Sequence, residues 1–285
     1  MADKQFNKME EESFSQREEI EIDLLLEGVY RLSGYDFRNY MRSSIGRRIR
    51  NRMRMEQIPS ISRLLEQAIY EPEILNKLLN DFSINVTEMF RNPSFFKSFR
   101  EKVVPQLRDL PVIRIWHAGC STGEEVYSMA ILLEEEGLAD RTHIFATDMN
   151  ERVLEQAKQG KFALAKMQNY TKNYFLSGGQ RSLSEFYTTD ERFAYFHPKL
   201  LTNISFAQHN LVTDQSFNEF HVIVCRNVLI YFTGALQNQV HHLFHQSLSD
   251  GGFVGLGDKE SLKFTEVAYH YQEFVPSEKI YRKIK

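Results

Sequence analysis

The sequence predicts an α/β protein, a mostly parallel sheet flanked by helices, with an all-helical segment in front of it. Two patterns carry that prediction. From residue 112 onward, apolar runs of four to seven residues alternate with stretches whose apolar positions recur at helical spacing. Before about residue 80 only the helical period is present, punctuated by Pro59 and Pro72. Composition agrees: 42% hydrophobic and 26% charged residues place the chain with soluble globular proteins rather than disordered or fibrous ones.

Taken in order, residues 1–19 are acidic and polar without an apolar run, which reads as a flexible N-terminus and not a secretory signal. A helical domain is expected over 20–84, with Leu24, Leu25 and Leu26 beginning one helix and Leu75, Leu78, Leu79 and Phe82 marking another. Residues 85–111 read as a linker and a further helix. The α/β domain follows over 112–285. Its first strand is Val112 to Ala118, and Gly123 opens a helix carrying Val126, Met129, Leu132 and Leu133 that Gly137 stops. A second strand, His143 to Thr147, ends at Asp148, and Asn150 is placed to cap the next helix. Residues 161–203 break the alternation and are rich in Tyr, Phe, Ser and Gly, so an inserted small β unit is expected there. Val222 to Cys225, a helix with Leu236, Val240, Phe244 and Leu248, and Phe253 to Leu256 resume the pattern. The tail, Val267 to Phe274 and Ile280 to Ile284, reads as a closing antiparallel hairpin.

Charge and cysteine content narrow the function classes. Lys and Arg number 35 against 38 Asp and Glu, a formal charge of −3, so the chain as a whole is no polycation built to coat nucleic acid. Residues 227–249 carry no charged side chain, yet their Asn, Gln and His content is too polar for a membrane span. Cys120 and Cys225 read as cytosolic thiols and small buried hydrophobes, with no redox role assigned. His241, His242 and His245 place two imidazoles at i, i+4 without a third ligand, so solvent-facing histidines are expected and no metal site. Phe193, Tyr195 and Phe196 of the insert are expected to form a small core.

Ligands of an open α/β sheet bind beyond the C-terminal ends of its strands, which singles out Gly119-Cys120-Ser121-Thr122-Gly123-Glu124-Glu125. Two glycines allow close backbone approach just before a helix. The loop has neither a G-x-G-x-x-G pattern nor a phosphate-binding lysine, which argues against NAD and ATP. Thr122 and Glu125 also have the spacing of a capping box. Asp148, 29 positions after Gly119, is suited to accept from both hydroxyls of a ribose or to cap a helix. A nucleoside without a phosphate chain is therefore the expected ligand, and S-adenosylmethionine meets that description.

Three longer segments carry a resemblance. Asn85-Val86-Thr87-Glu88-Met89-Phe90-Arg91, then Trp116 with Ser121-Thr122-Gly123-Glu124-Glu125-Val126-Tyr127-Ser128, then Cys225-Arg226-Asn227-Val228-Leu229-Ile230-Tyr231-Phe232 resemble, in order, the motifs of the CheR-type chemotaxis receptor methyltransferases. Glu260-Ser261-Leu262 is also similar to that family. The resemblance runs from about residue 20 to the C-terminus. It implies a class I, Rossmann-like methyltransferase domain that uses S-adenosylmethionine, leaves S-adenosylhomocysteine, and esterifies glutamates on the cytoplasmic helices of methyl-accepting chemoreceptors. Cofactor contacts are implied for Asn85, Thr87, Arg91, Glu125, Asp148, Asn210, Leu211, Asn227 and Val228, with Arg91 and Tyr231 next to the transferred methyl. The chain departs from the pattern at His117-Ala118-Gly119-Cys120, where relatives often carry small residues, and at Gly257-Asp258-Lys259, which replaces a more usual glycine-histidine-serine turn.

A substrate surface is expected on the helix around residue 50. Ile45, Ile49 and Met53 share one face; Arg47, Arg50 and Arg54 lie opposite, with Arg48 and Arg52 flanking. No acid is interleaved among these five arginines, so an anionic partner is expected, a glutamate-rich receptor helix suiting bidentate guanidinium groups. The alternatives are an RNA methyltransferase, against which stands the lack of an RNA-binding motif beside the arginines, and a non-catalytic cofactor-binding signalling module. The expectation is a cytoplasmic, monomeric enzyme with no nucleic-acid partner and no membrane insertion.

Overall fold

The structure, a computed structural model, describes residues 2–83 and 86–284, with side chains from Gln16 onward. The chain divides into two units, Met1–Ile84 with Tyr231–Leu236, and Asn85–Ile230 with Gln237–Lys285. The segment 85–111, expected as a linker, thus belongs to the second unit, because its phenylalanines enter that unit's core.

The first unit is helical: α1 (Ala2–Ser33), α2 (Arg42–Glu56), α3 (Ile61–Tyr70) and α4 (Pro72–Phe82). The segment expected to be flexible is helical from Ala2, and the helix expected to start at Leu24 starts far earlier. No Gly or Pro occurs before Gly28, and Glu, Gln, Lys and Met are good helix formers. Ile22, Leu25, Leu26 and Val29 form the buried face, while Leu24 is exposed. Local sequence sets the later ends: the Ser60 hydroxyl accepts from Arg63 N, and Pro72 stands in the first turn of α4. The segment Tyr231–Leu236 completes this unit. Tyr231 O accepts from Met41 N at 2.7 Å, and Tyr40 and Phe232 form an antiparallel bridge with their rings edge to face.

The arginine helix corrects one expectation. Ile45 and Ile49 are buried and Arg47, Arg50 and Arg54 exposed, as the helical wheel requires, but acids distant in sequence reach several arginines. Arg52 is buried and forks onto Asp81 (2.7 and 2.8 Å) while also donating to Glu56 at 2.8 Å. Arg48 is half-buried, donates to Asp81 O at 2.7 Å, and has its pKa pulled down by burial, which the nearby Tyr231 partly opposes. Arg50 pairs with Glu18 at 2.7 Å. Arg52 therefore holds α2 to α4 and is not free to bind a partner; Arg47 and Arg54 make no ion pair among the described residues.

The second unit begins with α5 (Pro93–Ser98), a π-helical turn over Phe99–Val103 and α6 (Val104–Leu107). Its main sheet contains β1 (Ile113–Ala118), β2 (Thr142–Asp148), β6 (Ile204–Gln208), β7 (Phe220–Cys225), β8 (Leu248–Leu256), β9 (Tyr271–Val275) and β10 (Ile280–Lys283). Their order is β6-β2-β1-β7-β8-β10-β9. The first five are mutually parallel, and the tail hairpin β9–β10 pairs antiparallel against β8. The helices α7 (Glu124–Glu135), α8 (Glu151–Gln159) and α10 (Gly234–Ser247) connect the strands. The Asn150 side chain caps α8 by accepting from Arg152 N at 3.0 Å.

The inserted unit is present as a three-stranded antiparallel sheet of order β3-β5-β4, from β3 (Lys161–Ala163), β4 (Tyr187–Thr189) and β5 (Phe193–Phe196), together with α9 (Met167–Leu176). Its core is not separate. Phe162, Tyr170, Tyr174, Phe186 and Phe196 belong to one hydrophobic cluster with α7, where Tyr127 meets Phe162 and Phe196 edge to face. Phe193 and Tyr195, expected in a small core, are half-buried, and the Lys161 ammonium lies 3.9 Å from the Phe193 ring centre.

The histidine expectation is also corrected. His241 is only 1% exposed, packs edge to face on Phe244, and burial pushes its pKa down to about 4. A side chain one position after Val240 is still within reach of the buried face of a helix lying flat on a sheet. His245 stacks on His270 with ring centres 4.5 Å apart. Among the described residues no group of three His, Cys, Asp or Glu is arranged to hold a metal, and no helix is long and apolar enough to cross a membrane.

Arg52→Ala should lower the unfolding free energy by about 2–4 kcal/mol, because removing the cation strands a partly buried Asp81. Arg54→Ala, at an exposed site, should change it by less than about 0.5 kcal/mol. Urea denaturation of the two variants checks the contrast.

Candidate functional site

Strand order reverses beside β1. The chain runs outward through β2 and β6 on one side and through β7 and β8 on the other, so the carboxyl ends of β1 and β7 flank a topological switch point. The β1 loop opens there. Gly119 N and Cys120 N both donate to Thr147 O (2.8 and 2.9 Å), and Ser121 N donates to Asp148 Oδ2 at 2.9 Å. Gly119 (φ 76) has no alternative: a Cβ there would stand 2.6 Å from Val228 Cγ2. Gly123 (φ 91) faces α8, where a Cβ would come within 2.9 Å of Ala157 Cβ.

The expected capping box does not form. Gly123 takes the cap position without a side-chain bond, and Thr122 Oγ1 donates to Glu124 Oε2 at 2.6 Å. Glu125 turns toward two stronger donors instead. Its Oε1 lies 3.0 Å from His117 Nδ1 and its Oε2 2.9 Å from Arg226 Nη1. Burial pushes the Glu125 pKa up, but His117 and Arg226 outweigh it and the net direction is down, so this acid stays ionised. Glu124 is buried beside Tyr170 OH, and burial raises its pKa.

Arg226 ties the crevice together. Its side chain is 1% exposed, its Nη2 donates to Arg91 O (3.0 Å) and Asn92 Oδ1 (2.9 Å), and its guanidinium lies 4.1 Å from the Phe95 ring centre. The next residue, Asn227, is left-handed (φ 63), and its N–H donates to Glu260 Oε2 at 3.0 Å. The same buried carboxylate accepts from Gly257 N (2.6 Å) and Ile230 N (3.3 Å). Arg226 and Glu260 were quoted within motifs, but nothing in their spacing announces a buried charge.

The structure brings most of the predicted cofactor residues to these strand ends. Glu125 follows β1, Asp148 ends β2, Asn210 and Leu211 follow β6, and Asn227 and Val228 follow β7. Asn210 turns its own loop, its N–H donating to Asp214 at 2.9 Å and its Oδ1 accepting from Val212 N at 3.0 Å. Thr87 and Arg91 precede α5 and are half-buried; Arg91 Nη1 donates to Val86 O at 3.2 Å. Asn85 lies outside the described residues. Tyr231 belongs to the first unit. Cys120 and Cys225 are buried free thiols whose pKa values burial drives well up, which suits inert packing.

These residues fit a cationic nucleoside. Glu125 offers an ionised carboxylate, Asp148 an acceptor for hydroxyls, and Ser121 Oγ is buried with no partner in the protein. The loop from Gly119 to Glu125 contains no Lys or Arg to neutralise phosphates. Fold and crevice together define an S-adenosylmethionine-dependent methyltransferase. Residues 85–277 match the family described as CheR methyltransferase, SAM binding domain, and residues 20–83 the CheR methyltransferase, all-alpha domain. The chain belongs to the CheR methyltransferase family.

Among curated relatives, the protein named Cher3 of Pseudomonas putida is 46% identical over 265 residues, covering 93% of this chain and 97% of that one. The chemotaxis protein methyltransferase of Listeria monocytogenes is 29% identical, covering 80% of this chain and 85% of that one. Chemotaxis protein methyltransferase 2 of Vibrio cholerae is 27% identical, covering 89% of each.

Asp148 generates a pH prediction. Burial raises its pKa above the ordinary 3.8, against the pull of the Asn150, Ser121 and Met149 N–H groups. Only the ionised carboxylate accepts from two hydroxyls, so S-adenosylhomocysteine affinity should fall as pH drops, with a midpoint above 3.8. Asp148→Asn should weaken binding by roughly 1.5–3 kcal/mol at neutral pH and flatten the acid limb. Calorimetric titration from pH 8 to about 4 checks both.

Proposed function

We propose that the chain transfers methyl groups from S-adenosylmethionine to glutamate side chains on the cytoplasmic helices of chemoreceptors, forming glutamyl methyl esters in chemotactic adaptation. The observation that carries the reading is the switch-point crevice, with an ionised Glu125 and Asp148 around a glycine loop that has no phosphate-binding base. The names of the Listeria and Vibrio relatives support a chemotaxis role. In this reading the enzyme works in the cytoplasm as a monomer.

When bound, the cofactor supplies an electrophilic methyl group on a positively charged sulfur. The chain needs no general base, since a glutamate carboxylate is already ionised at neutral pH. Its task is positioning, and orientation alone can contribute several kcal/mol. Glu125 holds a cationic group of the cofactor, Asp148 accepts from the ribose hydroxyls, and Thr87, Asn210, Leu211, Asn227 and Val228 line the remainder. Arg91 aligns the substrate carboxylate; a part for Tyr231 is implied by the family resemblance alone. Arg47 and Arg54, exposed and without acidic partners among the described residues, attract the receptor's acids; Arg48 and Arg50 add to that field, and Arg52 holds their helix in place.

The test is incubation with methyl-labelled cofactor and either receptor-enriched membranes or total RNA. Alkali-labile label in protein is expected; alkali-resistant label in RNA overturns the substrate assignment. Arg91→Ala should lose most transfer while keeping its melting temperature, measured by methylation assay and thermal denaturation. The double variant Arg47→Ala, Arg54→Ala should raise the Michaelis constant for receptor and weaken its salt dependence, because exposed charges act over about 8–10 Å at ordinary ionic strength. Its affinity for S-adenosylhomocysteine should not change.

A further inference from the structure

We propose that His117 is a positioning residue for the cofactor site, holding the Glu125 carboxylate in the orientation that receives a cationic group. The proposal rests on the reading of this crevice as the S-adenosylmethionine site. His117 lies within β1 and is fully buried, and its Nδ1 stands 3.0 Å from Glu125 Oε1. An ionised carboxylate only accepts, so Nδ1 carries the hydrogen. The other ring nitrogen, Nε2, is buried with no partner in the protein. Among the described residues the bond to Glu125 is the one hydrogen bond the ring makes.

That bond completes a two-sided grip. His117 takes Oε1 from the side of β1, and Arg226 takes Oε2 from the end of β7. A glutamate in the first turn of a helix has three side-chain torsions to fix, and one donor leaves its carboxylate free to swivel. Donors at both oxygens set the plane and leave the remaining lone pairs aimed in one direction.

The test is calorimetric titration of S-adenosylhomocysteine into the wild type, H117A, H117N, H117Q, E125Q and the H117A/E125Q double variant, each with a melting curve. H117A should weaken binding roughly 3- to 10-fold, less than the loss of a direct hydrogen bond to a charged group because His117 acts through Glu125. Asparagine carries an amide N–H near the Nδ1 position, so H117N should recover affinity to within about twofold. Glutamine carries its amide toward the Nε2 position, so H117Q should bind as weakly as H117A and takes its place should H117A not fold. Adding H117A to E125Q should cost nothing further. Wild-type affinity in H117A or H117Q, alongside weakened E125Q, overturns the positioning role and leaves the site reading intact. An equal loss from H117A in both backgrounds also overturns it, since His117 would then act other than through Glu125. Wild-type affinity in E125Q overturns the site reading beneath the proposal.

Discussion

A buried guanidinium is the constraint on which the crevice depends. An uncompensated buried charge costs several kcal/mol, so the Arg226 guanidinium needs partners, and both of its Nη atoms have them. Its partners come from two separate stretches: the carbonyl of Arg91, the amide of Asn92 and the rings of Phe95 and Phe96 where the chain enters α5, and the carboxylate of Glu125 in α7. Satisfying one side chain therefore fixes the backbone before α5, the first turn of α7 and the loop after β7 relative to one another. The three sequence motifs meet at this residue. Arg91, whose carbonyl is held by Arg226, owes its place in the crevice to a charge that need not touch the ligand.

A second constraint runs through the turns. Phe90, Asn92, Ser121 and Asn227 all adopt positive φ, a conformation that costs a non-glycine residue of order 1 kcal/mol or more. Phe90, Ser121 and Asn227 fall one in each of the three motifs, and Asn92 directly follows the first. Each is held by hydrogen bonds: Phe90 N donates to Ser128 Oγ at 2.8 Å, Ser121 N to Asp148 and Asn227 N to Glu260, while Asn92 Oδ1 accepts from Arg226 Nη2. Strain in the loops and buried acceptors beneath them belong to one design, in which backbone amides are turned inward so that side chains can line the opening.

What was legible in the sequence divides along the same line. Strand ends, helix periodicity and the Asn150 cap were legible because each is set by neighbours within a few positions. The inserted sheet and the tail hairpin announced themselves by a break in that rhythm. Partners far apart in sequence were hidden. Arg50 and Arg52 looked unpaired because Glu18 and Asp81 lie on other helices. His241 looked exposed because the wheel gives angles around a helix and not the breadth of the surface it rests on. The Thr122–Glu125 capping box failed for the same reason: the pattern is local, while His117 and Arg226 compete for Glu125 from other strands. Only the family resemblance gave roles to Asn210, Leu211, Asn227 and Val228, since no spacing rule marks the ends of four different strands as one site.

The first unit takes its last piece from deep within the sequence of the second. Met41 and Tyr40 find their backbone and ring partners at Tyr231 and Phe232, beyond seven strands of the α/β unit. During synthesis the helical part emerges first, with that position vacant until most of the chain has left the ribosome. Cutting after residue 83 would give a fragment that lacks this closing segment, and joining the two units by a simple linker would lose it as well. The domains are consecutive in name only, and a recombination event that shuffled the helical part onto another enzyme would have to carry six residues from the middle of its neighbour.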